Sequence, residues 1–219
     1  MDKLRLRFEK TGRAVYISHL DLMHTMQRAF SRADFELKYS EGFNPHPQIS
    51  IALPLSVGMS SYCELMDFRL KGEPDLGDLP SRLTAVMPEG IRITECYTAE
   101  QKFAALKYLE ITGRFEYDRG KTADIYRELR DFFAADSIVI SRKTKRGIGE
   151  SDIRPAIKEI SFSEKDGSIA LHTILSAQET TLNPLLLPEA LHQLAPELEP
   201  DFAAFTRLET YYENMQVFR

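Results

Sequence analysis

Lys3-Leu4-Arg5-Leu6-Arg7-Phe8-Glu9 is followed, after the turn signal Thr11-Gly12-Arg13, by Ser18-His19-Leu20-Asp21. Leu4, Leu6 and Phe8 alternate with Arg5, Arg7 and Glu9, the period-two pattern of a strand with one buried face. Ser18 and Asp21 have the spacing of a capping box, so a helix starts there. Leu20, Met23 and Phe30, with Met26, Ala29 and Ala33 alongside, predict an apolar stripe that runs out near Asp34. A strand that feeds a helix through a short turn begins a split βαβ layout.

The next segments continue that layout. Residues 49–53 alternate as a strand ended by Pro54, and residues 62–70 form another, with Glu64 as the odd polar member of its apolar face. Residues 74–87 place Leu76, Leu79, Leu83 and Val86 on one side of a helix, Pro88-Glu89-Gly90 stops it, and residues 91–97 are a strand. Residues 1–100 therefore read as a ferredoxin-like domain, and polar residues 98–102 make a joint. The order then repeats: strand 107–117, helix 122–133, strand 138–141, strand 157–162, an Asp166-Gly167 hairpin turn, strand 169–175 and helix 184–194. Residues 202–212 read as a last strand or as a helix. The expected fold is α+β, two tandem ferredoxin-like halves with antiparallel sheets, the second spanning 101–219 with an extra strand and a basic loop. The halves share no visible sequence identity, so the repeat rests on element order.

At 219 residues and 43% hydrophobic content the chain buries a substantial core. No window approaches eighteen uninterrupted apolar residues, and the charged N-terminus lacks a signal core, so the expectation is a cytoplasmic protein with no membrane partner. Cys63 and Cys96 are the two cysteines, too few for thiolate ligation of an iron-sulfur cluster or a structural zinc; the expectation is no metal or cofactor bound by this chain alone.

The formal charge of −5 argues against indiscriminate nucleic-acid coating. Positive charge is nonetheless concentrated in Arg142-Lys143-Thr144-Lys145-Arg146, followed by Gly147, Gly149 and Arg154. That stretch reads as a flexible cationic loop in which Arg142, Lys143, Lys145, Arg146 and Arg154 bind phosphates, or as a solvated charge run. No phosphate-cradling G-x-x-x-x-G-K-[ST], no G-x-G-x-x-G after a strand and no G-x-S-x-G is present, which removes the main support for nucleotide hydrolysis and serine acyl transfer.

Polar chemistry concentrates in residues 18–58, which hold three of the five histidines. His19 lies in the first turn of its helix, where the dipole favours a neutral imidazole suited to base or ligand chemistry; it equally helps cap the helix. His24 reads as structural. Pro45 and Pro47 flank His46 and hold Asn44 and His46 extended, Gly42 frees a tight turn, and Phe43 either plugs the core or stacks on a flat ring. The substrate-binding candidates are Ser18, His19, Asp21, Ser40, Gly42, Phe43, Asn44, His46 and Glu64. A metal triad of His19, Asp21 and His46 requires an irregular first turn, because residues two apart on a helix point to different sides.

Three motifs, Tyr16-Ile17-Ser18-His19-Leu20-Asp21, Tyr39-Ser40-Glu41-Gly42-Phe43-Asn44-Pro45-His46-Pro47 and Leu53-Pro54-Leu55-Ser56-Val57-Gly58, resemble the radical SAM-associated (radical SAM-linked) protein family of unknown function. Its members occur alone or fused behind a radical SAM protein with a cobalamin-type N-terminal part. The resemblance covers residues 4–95, and Asp152-Ile153-Arg154-Pro155 extends it. It implies the standalone form of that domain, partnered with a separate radical SAM enzyme that carries the SAM and the iron-sulfur cluster. It supplies no catalytic residues.

Three functions stand at this point. The first is an accessory, substrate-binding module, for an RNA or a ribosome-linked macromolecule, that serves the radical SAM enzyme. The second is a metal-independent RNA-processing enzyme using His19 and His46 as acid and base. The third is a protein-interaction scaffold for the radical SAM partner.

Overall fold

The first strand, β1 (Leu4–Lys10), aligns antiparallel with two neighbours, β3 (Ser60–Phe68) on one side and β4 (Ile91–Thr98) on the other. β2 (Ile49–Ile51) adds to β3, with Ile49 opposite Phe68. The order β4-β1-β3-β2 interleaves the chain, so each helix must cross the sheet. The computed structural model describes residues 3–72, 75–118, 122–144, 147–178 and 181–219. The chain forms two compact units, Met1–Ala105 with Arg219, and Leu106–Phe218.

α1 (His19–Arg32) packs on one face of the first unit's sheet. Ser18 caps it, its hydroxyl accepting the Asp21 backbone N–H at 3.2 Å and donating to the Asp21 carboxylate at 2.7 Å. The buried stripe is Leu22, Met26, Ala29, Phe30 and Ala33, which meets Leu6, Phe8, Met66 and Phe68. The Phe30 and Phe68 rings lie 4.9 Å apart. Leu20, expected in that stripe, is 64% exposed, because it stands two residues before Leu22 and two residues rotate a helix by about 200°. α2 (Leu79–Ala85) is shorter than expected. Its proline in the first turn marks the start, since a proline there forfeits only an N–H with no helical partner.

The sheet's other face departs from simple alternation. Arg5 is fully buried, donating through Nε to Asp67 Oδ1 at 2.7 Å, through Nη2 to Asp67 Oδ2 at 3.2 Å and to the Gln101 carbonyl at 2.7 Å. The Phe103 ring covers its guanidinium at 4.4 Å. Arg5, an outward position by alternation, is interior because residues 101–103 fold over that face.

The second unit comprises β5 (Tyr108–Glu116), α3 (Thr122–Phe133), β6 (Val139–Thr144), β7 (Gly147–Asp152), β8 (Ile157–Lys165), β9 (Ser168–Ser176), α4 (Leu186–Leu194) and β10 (Phe202–Tyr211). Its sheet runs β10-β5-β9-β8, every pair antiparallel. Pairing with β5 makes the last segment a strand, with Phe205 edge-on to Phe115 at 6.1 Å. Asp166 and Gly167 take φ of +49° and +75° in the β8–β9 turn, as an Asp-Gly hairpin requires.

The stretch expected to be a flexible cationic loop is a two-stranded ribbon instead. β6 and β7 pair antiparallel, with Arg142 opposite Gly149 and Thr144 opposite Gly147. Arg142 and Lys143 stand opposite Gly149 and Ile148, so like charges do not face one another across the ribbon. Lys145 and Arg146 lie outside the described residues. The architecture is mixed α+β, with mostly antiparallel sheet and four α-helices among the described residues.

Candidate substrate-binding site

Between α1 and β2 the chain makes a small hairpin over residues 39–47, closed by a bridge between Tyr39 and Pro47. Ser40 N–H donates to the His46 carbonyl at 2.8 Å, and the Ser40 hydroxyl accepts the His46 backbone N–H at 3.1 Å. The same hydroxyl lies 3.0 Å from His46 Nδ1. When it gives its own proton to Nδ1, the imidazole carries its proton on Nε2. Gln48 ties the base to the fold, its N–H donating to the Lys38 carbonyl at 2.8 Å and its amide to the Tyr39 carbonyl at 3.2 Å. Gly42 turns the tip at φ +120°, a conformation costly for other residues. At that tip Phe43 projects wholly into solvent, with a relative exposure of 111%. Its alternative role as a plug of the core is thereby excluded.

Beside the hairpin lies a cleft of about 230 Å³, lined in part by Lys3, His46, Gln48, Asp67 and Arg69. Asp67 is neutralised from behind by Arg5, and Lys3 reaches it at 3.5 Å from the front. A buried carboxylate held by two cations does not repel an anion as a lone one would. Lys3, Gln48 and Arg69 are site residues that motif reading passes over. The charged Asp67 between Met66 and Phe68 was the available signal, but only the register, with Leu4 opposite Phe68 and Phe68 opposite Ile49, puts it next to His46.

The structure separates His19 from His46. His46 shares its cleft with Lys3, before β1, whereas the Lys10 ammonium at the far end of β1 donates to the Ile17 carbonyl at 2.9 Å, two residues before His19. β1 puts about 20 Å between those ends at 3.3 Å per residue. No acid-base pair of the two histidines and no triad with Asp21 is assembled. Ser18 and Asp21 spend their polar atoms on the helix cap. His24 is exposed, and Glu64 is fully buried opposite Phe8, inside the protein rather than at its surface. Burial pushes the Lys10 ammonium down, and the Glu64 carboxylate opposes that shift. The Cys96 thiol is pushed up to about 11 by burial.

Of the expected phosphate contacts, Arg142 is half-buried on β6 and Arg154 stands at the base of the ribbon. Among the described residues, no group of three or more His, Cys, Asp or Glu is placed to hold a metal ion. No helix among them is long and apolar enough to cross a membrane.

No curated protein matches the sequence. A chain from a crystal structure of a Cbf5-Nop10-Gar1 complex is similar in fold, with a TM-score of 0.53 at 10% identity over 94% of this chain. This chain spans 48% of that one. The acetolactate synthase small subunit from Thermotoga maritima covers 94% of this chain at 9% identity, with a TM-score of 0.27. A family model described as an uncharacterized protein conserved in bacteria (DUF2344) matches residues 3–184, and the chain belongs to that family.

Proposed function

We propose that this chain is a non-catalytic accessory module that holds an RNA, free or ribosome-linked, for a separate radical SAM enzyme, with the hairpin at residues 39–47 as its contact. Phe43 stacks on an unpaired base, while Lys3 and Arg69 in the adjoining cleft neutralise the backbone next to it. The observation that carries this reading is the full exposure of Phe43 on a braced support. A large apolar ring held in water forgoes about 1.5–3 kcal/mol of burial, a cost that a stacking ligand recovers. The stiff loop loses little entropy on binding. The distance between His19 and His46 disfavours the enzyme reading.

The radical SAM partner follows from the motif resemblance; the SAM and its cluster belong to that enzyme in this reading. It also takes the two units as tandem ferredoxin-like halves, supported by the matching orders β4-β1-β3-β2 and β10-β5-β9-β8, with the β6–β7 ribbon as an insertion in the second.

The test is fluorescence anisotropy with single-stranded oligoribonucleotides drawn from RNA that co-purifies with the chain. Phe43→Ala weakens binding by about 1–3 kcal/mol, raising the Kd roughly fivefold to over a hundredfold, without changing the melting temperature, and Phe43→Trp restores binding. Binding that is absent in the wild type, or unaltered by Phe43→Ala, overturns the reading.

A further inference from the structure

The second unit carries a larger cleft, which takes in Arg154 of the sequence-predicted phosphate contacts together with residues that no motif singles out. It has a volume of about 460 Å³ and lies between the C-terminal end of α3 and the strand β8. Arg130, Arg154, Lys158 and His172 line it, with Glu159 contributing one carboxylate and Phe162 an apolar wall. Among the lining residues three permanent cations stand against one carboxylate, Glu159, while Asp131 and Glu110 pair with Arg130 and His172, so Arg154 and Lys158 are the cations with no carboxylate in these pairs.

Three of the four basic groups are already ordered. Arg154 donates through Nε to the Ala135 carbonyl at 3.1 Å and through Nη1 to the Ile157 carbonyl at 2.8 Å. The first bond covers the carbonyl end that follows α3, which would otherwise repel an anion. Both together fix the guanidinium plane, with Nη2 outside either bond. Lys158 is held with Nζ 4.3 Å from the centre of the Tyr108 ring. His172 pairs through Nε2 with Glu110 Oε1 at 2.7 Å, which orients the imidazole. The Arg130 side chain is 64% exposed and makes a 3.6 Å ion pair with Asp131, so it is the arm that can close on a ligand. A rigid set of donors with one mobile arm binds an anion at small entropic cost.

We propose that this cleft is a phosphate-binding site, taking either a phosphodiester of an RNA strand or the phosphates of a free nucleotide. The full chain is titrated with a labelled single-stranded oligoribonucleotide by anisotropy and with ADP by calorimetry. The double variant Arg130→Gln, Lys158→Gln weakens the probe that binds by about tenfold or more. For the oligonucleotide it also lowers the slope of log affinity against log salt by about two. Ser161→Glu, which brings a negative charge to the same cleft wall, weakens binding too and serves if the double variant melts early.

Loss for the oligonucleotide alone identifies RNA as the source of the phosphate, and loss for ADP alone identifies a nucleotide. The proposal is overturned if neither probe binds the wild type, or if the variants bind as the wild type does. Oligonucleotide binding that falls with Phe43→Ala but not with the cleft variants overturns the cleft and leaves the hairpin reading standing. ADP binding without RNA binding does the reverse.

Discussion

The Ser40 hydroxyl accepts the His46 backbone N–H at 3.1 Å and meets the same residue's Nδ1 at 3.0 Å. One side chain thus fixes both the path of the loop and the orientation of its imidazole. Ser40→Ala removes both interactions from an exposed loop, at about 1 kcal/mol each in ordering the loop. The expected result is a several-fold weaker RNA affinity with an unchanged melting temperature, measured side by side on the same preparation.

His19→Ala is expected to leave that affinity within twofold of the wild type. The residue sits beyond the far end of β1 from the hairpin, and the helix cap depends on Ser18 and Asp21 rather than on the imidazole. An RNA-cleaving activity abolished by His19→Ala would contradict the geometry.

Arg5 and Asp67 test the buried face of the first unit. Both are essentially excluded from solvent, and either one alone is an uncompensated interior charge. Arg5→Met should cost about 3–5 kcal/mol in urea denaturation, because Asp67 keeps only the half-exposed Lys3.

Gly90 and Gly72 both have positive φ, +89° and +69°, yet they differ in surroundings. A Cβ on Gly90 would lie 2.2 Å from the Thr11 carbonyl oxygen, whereas nothing stands within 4 Å of one on Gly72. Gly72→Ala costs about 1 kcal/mol of backbone strain, while Gly90→Ala costs more, since the β1 exit must also move. Thermal melts of the two variants give the ranking.

His192 Nδ1–H donates to Glu199 Oε2 at 2.8 Å, and that carboxylate raises the histidine pKa above its ordinary value. A raised folded-state pKa means that the protonated form is the one stabilised on folding. The contribution is complete below the unfolded value of about 6.5 and fades as pH rises through the folded one. His192→Gln should therefore lower the melting temperature more at pH 5.5 than at pH 8.5.

Much of the first unit was legible from its residues. Leu4, Leu6 and Phe8 announced β1 and Ser18 with Asp21 announced the start of α1, as Asp166-Gly167 announced a hairpin in the second unit, since each of these signals acts within a few residues. Other features required partners distant in the chain. Leu20 reads as apolar stripe until the helix phase set by Leu22 and Met26 excludes it. Residues 142–144 read as a loop until 147–149 pair with them. Arg5 reads as surface until residues 101–103 cover it.

The candidate sites divide in the same way. Local sequence marked residues 39–47 as a braced loop, because proline restricts its own φ and the residue before it, whereas glycine permits a positive φ that other residues avoid. It also determined which residues carry hydrogen-bonding and charged groups. Tertiary structure alone decided which of those groups meet. Strand register brought Lys3 and Asp67 to His46, and β1 carried His19 away from it. Packing of α3 against β8 assembled Arg130, Arg154, Lys158 and His172 from three separate segments. Register and packing depend on contacts between residues far apart in the chain, whose free energies no short motif records.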